Sequence, residues 1–348
     1  MRTPRILGEG RSFYHCMSRV VDRRFVFEDE QKEFFRRTMR KLEAFLGVRV
    51  VTYCLMSNHF HLLVEVPDKE ELDPLTPESL FALLPKLYSP HQVKQLAEEW
   101  QRACDSGSEP WQREILDRFE NRRGDLSTFL KELKQRFTQW YNRRNDRKGT
   151  LWEERFKSVL VEGSETPLLT MAAYIDLNPV RAGIVDSPEK YRWCGYGEAV
   201  AGVRIARAGL GRILEQSGMG MAEMAEKDDP HRATWKETTA RYRLLLFDRG
   251  EERQGDETGI GARAGFSRTR VEAELQRGGE LPLAQVLRCR VRYFCDGAVF
   301  GTSEFVESVF DRHRDWFGDR RRSGPRQMKG ARWGDLRVLR ELREEPIG

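Results

Sequence analysis

His59 and His61 stand one residue apart at the head of an apolar run, His59-Phe60-His61-Leu62-Leu63-Val64. Side chains along a strand point alternately to its two faces. A strand here projects both imidazoles from one face and Phe60, Leu62, Val64 and Val66 from the other. Two neutral imidazoles on one face can hold a divalent metal, because each offers a lone pair and the strand sets their spacing. A packed histidine beside a half-exposed one gives the same pattern, so the pair alone does not specify a metal.

A second constellation lies more than a hundred residues on, at Tyr174-Ile175-Asp176-Leu177-Asn178-Pro179. Thr166 and Pro167 read as the N-cap and first residue of a short helix. Pro179 reads as its end, because proline disfavours the α conformation in the residue before it. Residues four apart lie one turn apart, so Tyr174 and Asn178 can offer a hydroxyl nucleophile and an amide oxygen to a common point. Asn-Pro is also an ordinary helix-ending dipeptide whose amide bonds local backbone. Tyr141 is the rival tyrosine. It lies on a helix whose apolar residues Leu126, Phe129, Leu130, Leu133, Phe137 and Trp140 recur at three- and four-residue intervals, and it reads as core. That helix ends in Arg143-Arg144-Asn145-Asp146-Arg147-Lys148, a cluster able to contact phosphates or to serve as a solvated surface.

Five blocks in one order resemble the single-tyrosine HUH transposases, and among them the REP-associated tyrosine transposases. They are Ser12-Phe13-Tyr14-His15-Cys16-Met17-Ser18-Arg19, Tyr53 to Val64, Gly149 to Ser158, Tyr174 to Gly183, and Tyr191-Arg192-Trp193-Cys194-Gly195-Tyr196. The resemblance covers roughly residues 8 to 200. It implies that Tyr174 attacks a phosphodiester of single-stranded or hairpin DNA, forms a 5′-phosphotyrosine and releases a 3′-hydroxyl that can reverse the step. It also implies Mg²⁺ or Mn²⁺ held by His59 and His61, since a phenol with a pKa near 10 needs a polarised, oriented phosphate. Many insertion-sequence relatives place a glutamine one turn after the tyrosine. Asn178 stands there in this chain, as expected of the REP-associated branch, and is the candidate third ligand. Arg19, Arg143, Arg144, Arg155, Lys157 and Arg181 are the candidate DNA contacts.

The elements that must position these groups are legible. A strand near 12–19, a turn through Asp22-Arg23-Arg24, a helix near 29–46 and strands near 48–55 and 59–66 are followed by a helix at 125–144, a strand near 156–162 and the Tyr174 helix. This order fits an α+β fold with helices over an antiparallel sheet. The resemblance implies a ferredoxin-like sheet with the histidine strand central and the Tyr174 helix across its site face. The expected division is a catalytic domain at 1–200, with a helical insertion at about 68–124 that either guides DNA or merely elaborates the surface, and an accessory region at 201–348. The accessory region reads as mainly helical, with helices at 206–216, 234–247, 265–272 and 301–310, a polar linker at 249–261 and a basic tail from Arg320 to Arg332.

Charged residues at 33% and hydrophobic ones at 39% suit a water-soluble chain with a core, and a net charge of +5 suits a polyanionic partner. No apolar stretch approaches a membrane span, and the N-terminus lacks the apolar core of a secretory signal, so a cytoplasmic, nucleoid-associated protein is expected, with no membrane partner. Cys16, Cys54, Cys104, Cys194, Cys289 and Cys295 are scattered without metal-binding spacing and read as reduced. Monomer and homodimer are both open. Three other functions remain open: a catalytically silent sequence-specific DNA-binding protein, a relaxase-like nicking enzyme, and a metal-dependent hydrolase that uses only the histidine pair. No GxxxxGK[ST] motif marks an appended helicase.

Overall fold

A computed structural model describes residues 5–215, 292–328 and 333–340. Strands β1 (Ser12–Arg19), β2 (Arg49–Leu55), β3 (His59–Val66), β4 (Lys157–Val161), β5 (Val299–Thr302), β6 (Arg326–Gln327) and β7 (Leu336–Leu339) form one sheet in the order β2-β3-β1-β4-β5-β7-β6. The α+β class is as expected. β1 lies between β3 and β4 and is antiparallel to both, with Arg19 opposite His59 and Met17 opposite His61. The sheet departs from a purely antiparallel one where β4 runs parallel to β5. The described C-terminal residues also do more than extend the chain as helices, since β5, β6 and β7 continue the same sheet beyond β4.

The two faces are covered differently. On the Phe60 face lie α1 (Asp29–Leu46) and α5 (Leu126–Arg144), with Phe35 between Phe60 and Phe137 at ring-centroid distances of 4.9 and 5.4 Å. The apolar positions that mark α1 and α5 in the sequence, Phe35, Met39, Leu42, Phe129, Leu130, Leu133 and Phe137, are all buried here. Between β3 and α5, α2 (Pro77–Leu83), α3 (Pro90–Asp105) and α4 (Glu109–Glu120) occupy residues 68–124, each opened by a side-chain cap and an early proline.

The histidine face carries α6 (Glu165–Asp176), which packs on β2 and β3, and the short α7 (Asn178–Arg181) follows it. Pro179 does not end the helical path as read from the sequence. It sits in the first turn of α7, where its missing N–H is not required, and Leu177 joins the two helices in a right-handed helical conformation. The start also differs: Ser164 is the N-cap and Pro167 falls inside the first turn. Asp176, at the end of α6, is fully buried and accepts from Thr52 Oγ1 of β2 at 2.9 Å and from the Tyr196 amide at 3.2 Å. α8 (Gly195–Val200) and α9 (Arg204–Glu215) then cover β2, the edge strand, whose unpaired backbone would otherwise invite intermolecular pairing. Close approach explains two glycines. A Cβ at Gly195 would lie 2.2 Å from Thr52 Oγ1, and one at Gly209 would lie 2.6 Å from the Val51 carbonyl.

α10 (Arg292–Cys295) lies against β1 and β4, and α11 (Ser303–Arg312) against β5 and β7. The expected helix at 301–310 corresponds to α11, shifted by the last residues of β5. The expected helices at 234–247 and 265–272 and the linker at 249–261 lie outside the described residues, as do residues 329–332 of the basic tail. Among the described residues, no helix is long and apolar enough to cross a membrane.

Candidate active site

His59 and His61 project from the same face of β3, with ring centroids 5.0 Å apart. His59 is half-buried at the strand's start, and His61, two residues further in, is 2% exposed. Tyr174 comes to them from α6. Its ring lies 5.7 Å from that of His61 and meets it edge-on, and it is 1% exposed. The two constellations read separately from the sequence therefore meet in space.

His15, on β1, joins them. Its ring stacks on His61 at 5.1 Å and meets Tyr174 edge-on at 5.8 Å. Its Nε2 lies 2.9 Å from His61 Nδ1, and its Nδ1 lies 2.8 Å from the Phe294 carbonyl. Burial disfavours imidazolium at all three histidines. It takes His15 down to about 4 and His59, aided by the charge of Arg19, also to about 4. His61 falls well below the ordinary value, first through desolvation and then through the neighbouring histidines and arginines. Neutral imidazole is the metal-binding form, so the donor chemistry fits a divalent cation at His59 and His61.

Asn178 lies one turn beyond Tyr174, as its spacing requires. Its Nδ2 donates to the carbonyls of Tyr174 at 2.9 Å and Ile175 at 3.3 Å. The amide thus makes the local backbone bonds of a helix joint, while its Oδ1 is the atom left to serve as a ligand.

The phenol is covered by two residues that sequence reasoning did not connect with the site. Phe294 of α10 stacks on the Tyr174 ring at 4.5 Å, and Cys295 Sγ lies 3.0 Å from its hydroxyl. From the sequence Cys295 reads only as a reduced cysteine; its thiol is pushed up to about 11, mainly by burial. Sγ and one ring nitrogen each of His15 and His61 lie within 4.8 Å of one another. No residue pattern near 292–295 announces this role. The adjacency arises only because β5 pairs with β4 and carries α10 onto β1 and β4.

The basic candidates fall into two groups. Arg19 lies opposite His59 at the end of β1, Lys157 pairs through the backbone with Met17, and the Arg181 guanidinium carbon is 5.0 Å from the Tyr174 ring centroid. These three adjoin the histidine cluster. Lys157 also pairs with Asp296 at 3.2 Å. Arg155 is exposed in the loop before β4. Arg143 and Arg144 are exposed at the end of α5, on the helix that covers the Phe60 face, and Arg144 pairs with Glu30 at 2.5 Å. Tyr141 is also on α5, half-buried and stacked on Phe137 at 6.2 Å.

The remaining blocks of the motif set have structural duties. Trp152 Nε1 donates to Thr138 Oγ1 at 2.9 Å, while the Leu151 carbonyl and the Glu153 amide bond Val21 and Arg19, tying α5 and the end of β1 together. The Tyr191 hydroxyl donates to the Leu55 carbonyl at 2.6 Å and the Trp193 carbonyl accepts from the Leu55 amide, which fixes the end of β2.

Residues 11–78 match the family described as "Transposase IS200 like", a span that includes His15, His59 and His61. Among solved structures, one described as "Structure of the REP associates tyrosine transposase bound to a REP hairpin" aligns with 58% of this chain and 87% of its own, at 14% identity and a TM-score of 0.38. No curated protein matches the chain. The matched segment, which holds the histidine strand and its neighbour β1, is similar to the IS200-like transposases.

Proposed function

We propose that this chain cleaves and rejoins single-stranded DNA at hairpin-associated sites, in the manner of the REP-associated branch, with Tyr174 as nucleophile. The observation that carries the reading is the placement of the Tyr174 ring 5.7 Å from that of His61, on the face that also presents His59. Tyr174 Oη attacks the scissile phosphorus, the bond to the 3′-oxygen breaks, and a 5′-phosphotyrosine forms. The phenolic proton is lost and the departing 3′-oxygen gains one, so the reverse attack by that 3′-hydroxyl rejoins strands without a nucleotide cofactor. Mg²⁺ or Mn²⁺ held by His59, His61 and Asn178 would polarise the phosphate and orient it for in-line attack.

Arg19 and Arg181, beside the histidines and the tyrosine, contribute positive charge where a bridging phosphate would lie. Lys157, Arg155, Arg143 and Arg144 then serve the flanking strand through its backbone. In this assignment residues 1–200 form the catalytic unit, while β5, β6 and β7 extend its sheet and Phe294 and Cys295 cover the phenol. Because Tyr174 is 1% exposed, a phosphate reaches it only when Phe294 and Cys295 move aside.

The test is incubation with labelled hairpin-bearing single-stranded DNA and Mn²⁺, followed by a denaturing gel. A covalent adduct that requires the ion, His59 and Tyr174 but survives Tyr141→Phe is expected. An adduct that follows Tyr141 would overturn the nucleophile. Cleavage without an adduct would indicate a hydrolase, and tight binding without cleavage a catalytically silent DNA-binding protein.

A further inference from the structure

The atoms around His61 and His59 decide which nitrogen each ring can offer. A backbone carbonyl only accepts, so the 2.8 Å contact with Phe294 requires the proton of His15 to be on Nδ1. His15 is almost fully buried, where ring nitrogens pair donor with acceptor, so with the proton on Nδ1 its Nε2 accepts and His61 Nδ1 donates across the 2.9 Å contact. With Nδ1 committed to His15, Nε2 is the nitrogen His61 has left to offer a cation.

A second, independent chain acts on His59. Asn58 Nδ2 donates to the Arg23 carbonyl at 3.0 Å, which orients the amide and turns Oδ1 towards His59 Nδ1 at 2.6 Å. An amide oxygen only accepts, so His59 Nδ1 must donate and Nε2 is again the bare nitrogen. The accepting carbonyl belongs to a turn in which Asp22 and Arg23 hold φ of 57° and 54°, conformations that side chains other than glycine's seldom adopt and that persist where the surroundings hold them.

We infer that His15 and Asn58 are positioning residues that hold His61 and His59 as Nδ1–H tautomers, so that both rings offer Nε2 to the same divalent cation. Such outer hydrogen bonds fix ligand tautomer and ring orientation, and losing one costs roughly 10–100-fold in metal affinity. The inference rests on the metal reading above. Cys295 does not replace His59 in the donor set: both nitrogens of His15 are already engaged, and a neutral thiol is a poor ligand for a hard cation.

Long-range ¹H–¹⁵N NMR of the metal-free full chain reads the tautomers directly, and calorimetric titration with Mn²⁺ reads affinity. The wild type is expected to show His59 and His61 protonated on Nδ1. His15→Phe is expected to release His61 to the Nε2–H form and weaken Mn²⁺ binding about 10–100-fold, and Asn58→Leu to do the same for His59. His15→Gln restores both, because one amide can donate to the Phe294 carbonyl and accept from His61. Cys295→Ser leaves Mn²⁺ affinity unchanged. Nε2–H tautomers in the wild type would overturn the inference, as would unchanged affinity in His15→Phe or affinity lost equally in Cys295→Ser. Nδ1–H tautomers in a wild type that binds no Mn²⁺ would support the relay and overturn the metal reading.

Discussion

The phenolic oxygen of Tyr174 and the sulfur of Cys295 lie 3.0 Å apart, although 121 residues separate them in the chain. With the Phe294 ring stacked 4.5 Å from the Tyr174 ring, this contact closes the proposed nucleophile from solvent. An aromatic pair contributes about 0.5–1.5 kcal/mol beyond the area it buries. Removing it therefore raises the open fraction roughly 2–10-fold, since 1.4 kcal/mol is a factor of ten. Phe294→Ala with Cys295→Ala is expected to speed adduct formation on hairpin DNA by about that factor. A slower rate, measured under single-turnover conditions, would mean that α10 helps to build the reactive site rather than closing it.

Asp176 holds the helix that carries Tyr174. Its carboxylate is fully buried and accepts from Thr52 Oγ1 and the Tyr196 amide, so it clamps α6 to β2 and to the start of α8 at once. Asp176→Ala leaves two buried donors without that acceptor, at about 1–3 kcal/mol for each. Urea unfolding should show a lower midpoint at unchanged m-value, and adduct formation should fall as α6 loosens. A normal midpoint would show that the α6 register is set by apolar packing alone.

Phe137 and Tyr141 share α5 but differ in consequence. Phe137 is completely buried among Phe27, Phe35 and Trp152, and Phe137→Ala should cost about 3–5 kcal/mol by leaving a cavity in the layer that supports β3. Tyr141→Phe removes one hydroxyl from a half-buried ring and should change stability by less than about 0.5 kcal/mol. Thermal denaturation of the two variants separates these outcomes, and adduct formation should be lost in neither beyond what stability explains.

Much of this arrangement is legible in the residues, for identifiable reasons. The alternation through His59, Phe60 and His61 places the histidines and the apolar core on opposite faces wherever a strand forms, and the three- and four-residue spacing along α1 and α5 needs only a sheet to face. Local rules also mislead. Pro179 is a helix stop by its effect on the preceding residue, yet Leu177 absorbs the change and lets proline begin α7, a choice made by the packing of α6 rather than by the dipeptide. Least legible are β5 and β7, four residues each, and the short α10 that precedes β5. Strands that short carry little periodicity, and their place depends on β5 pairing with β4, about 140 residues earlier in the chain, and on β7 pairing with β5. In the sequence His15 is only one member of a motif block, because its significance lies in a contact between strands with His61.

Asn178 distinguishes a ligand from a helix joint. Its Nδ2 already satisfies the Tyr174 and Ile175 carbonyls, so Asn178→Ala removes these bonds and the free Oδ1 together. Asn178→Asp removes the donor but retains an oxygen, now charged, at the same position. If Oδ1 completes the cation site, Asn178→Ala weakens Mn²⁺ binding while Asn178→Asp preserves or strengthens it, because a carboxylate is a hard ligand suited to this ion. If Asn178 serves only the joint, both variants lose about 1 kcal/mol of stability through the missing donor, and neither changes Mn²⁺ affinity. Calorimetric titration beside chemical denaturation of the two variants decides the matter, and we expect the pair to diverge in affinity while falling together in stability.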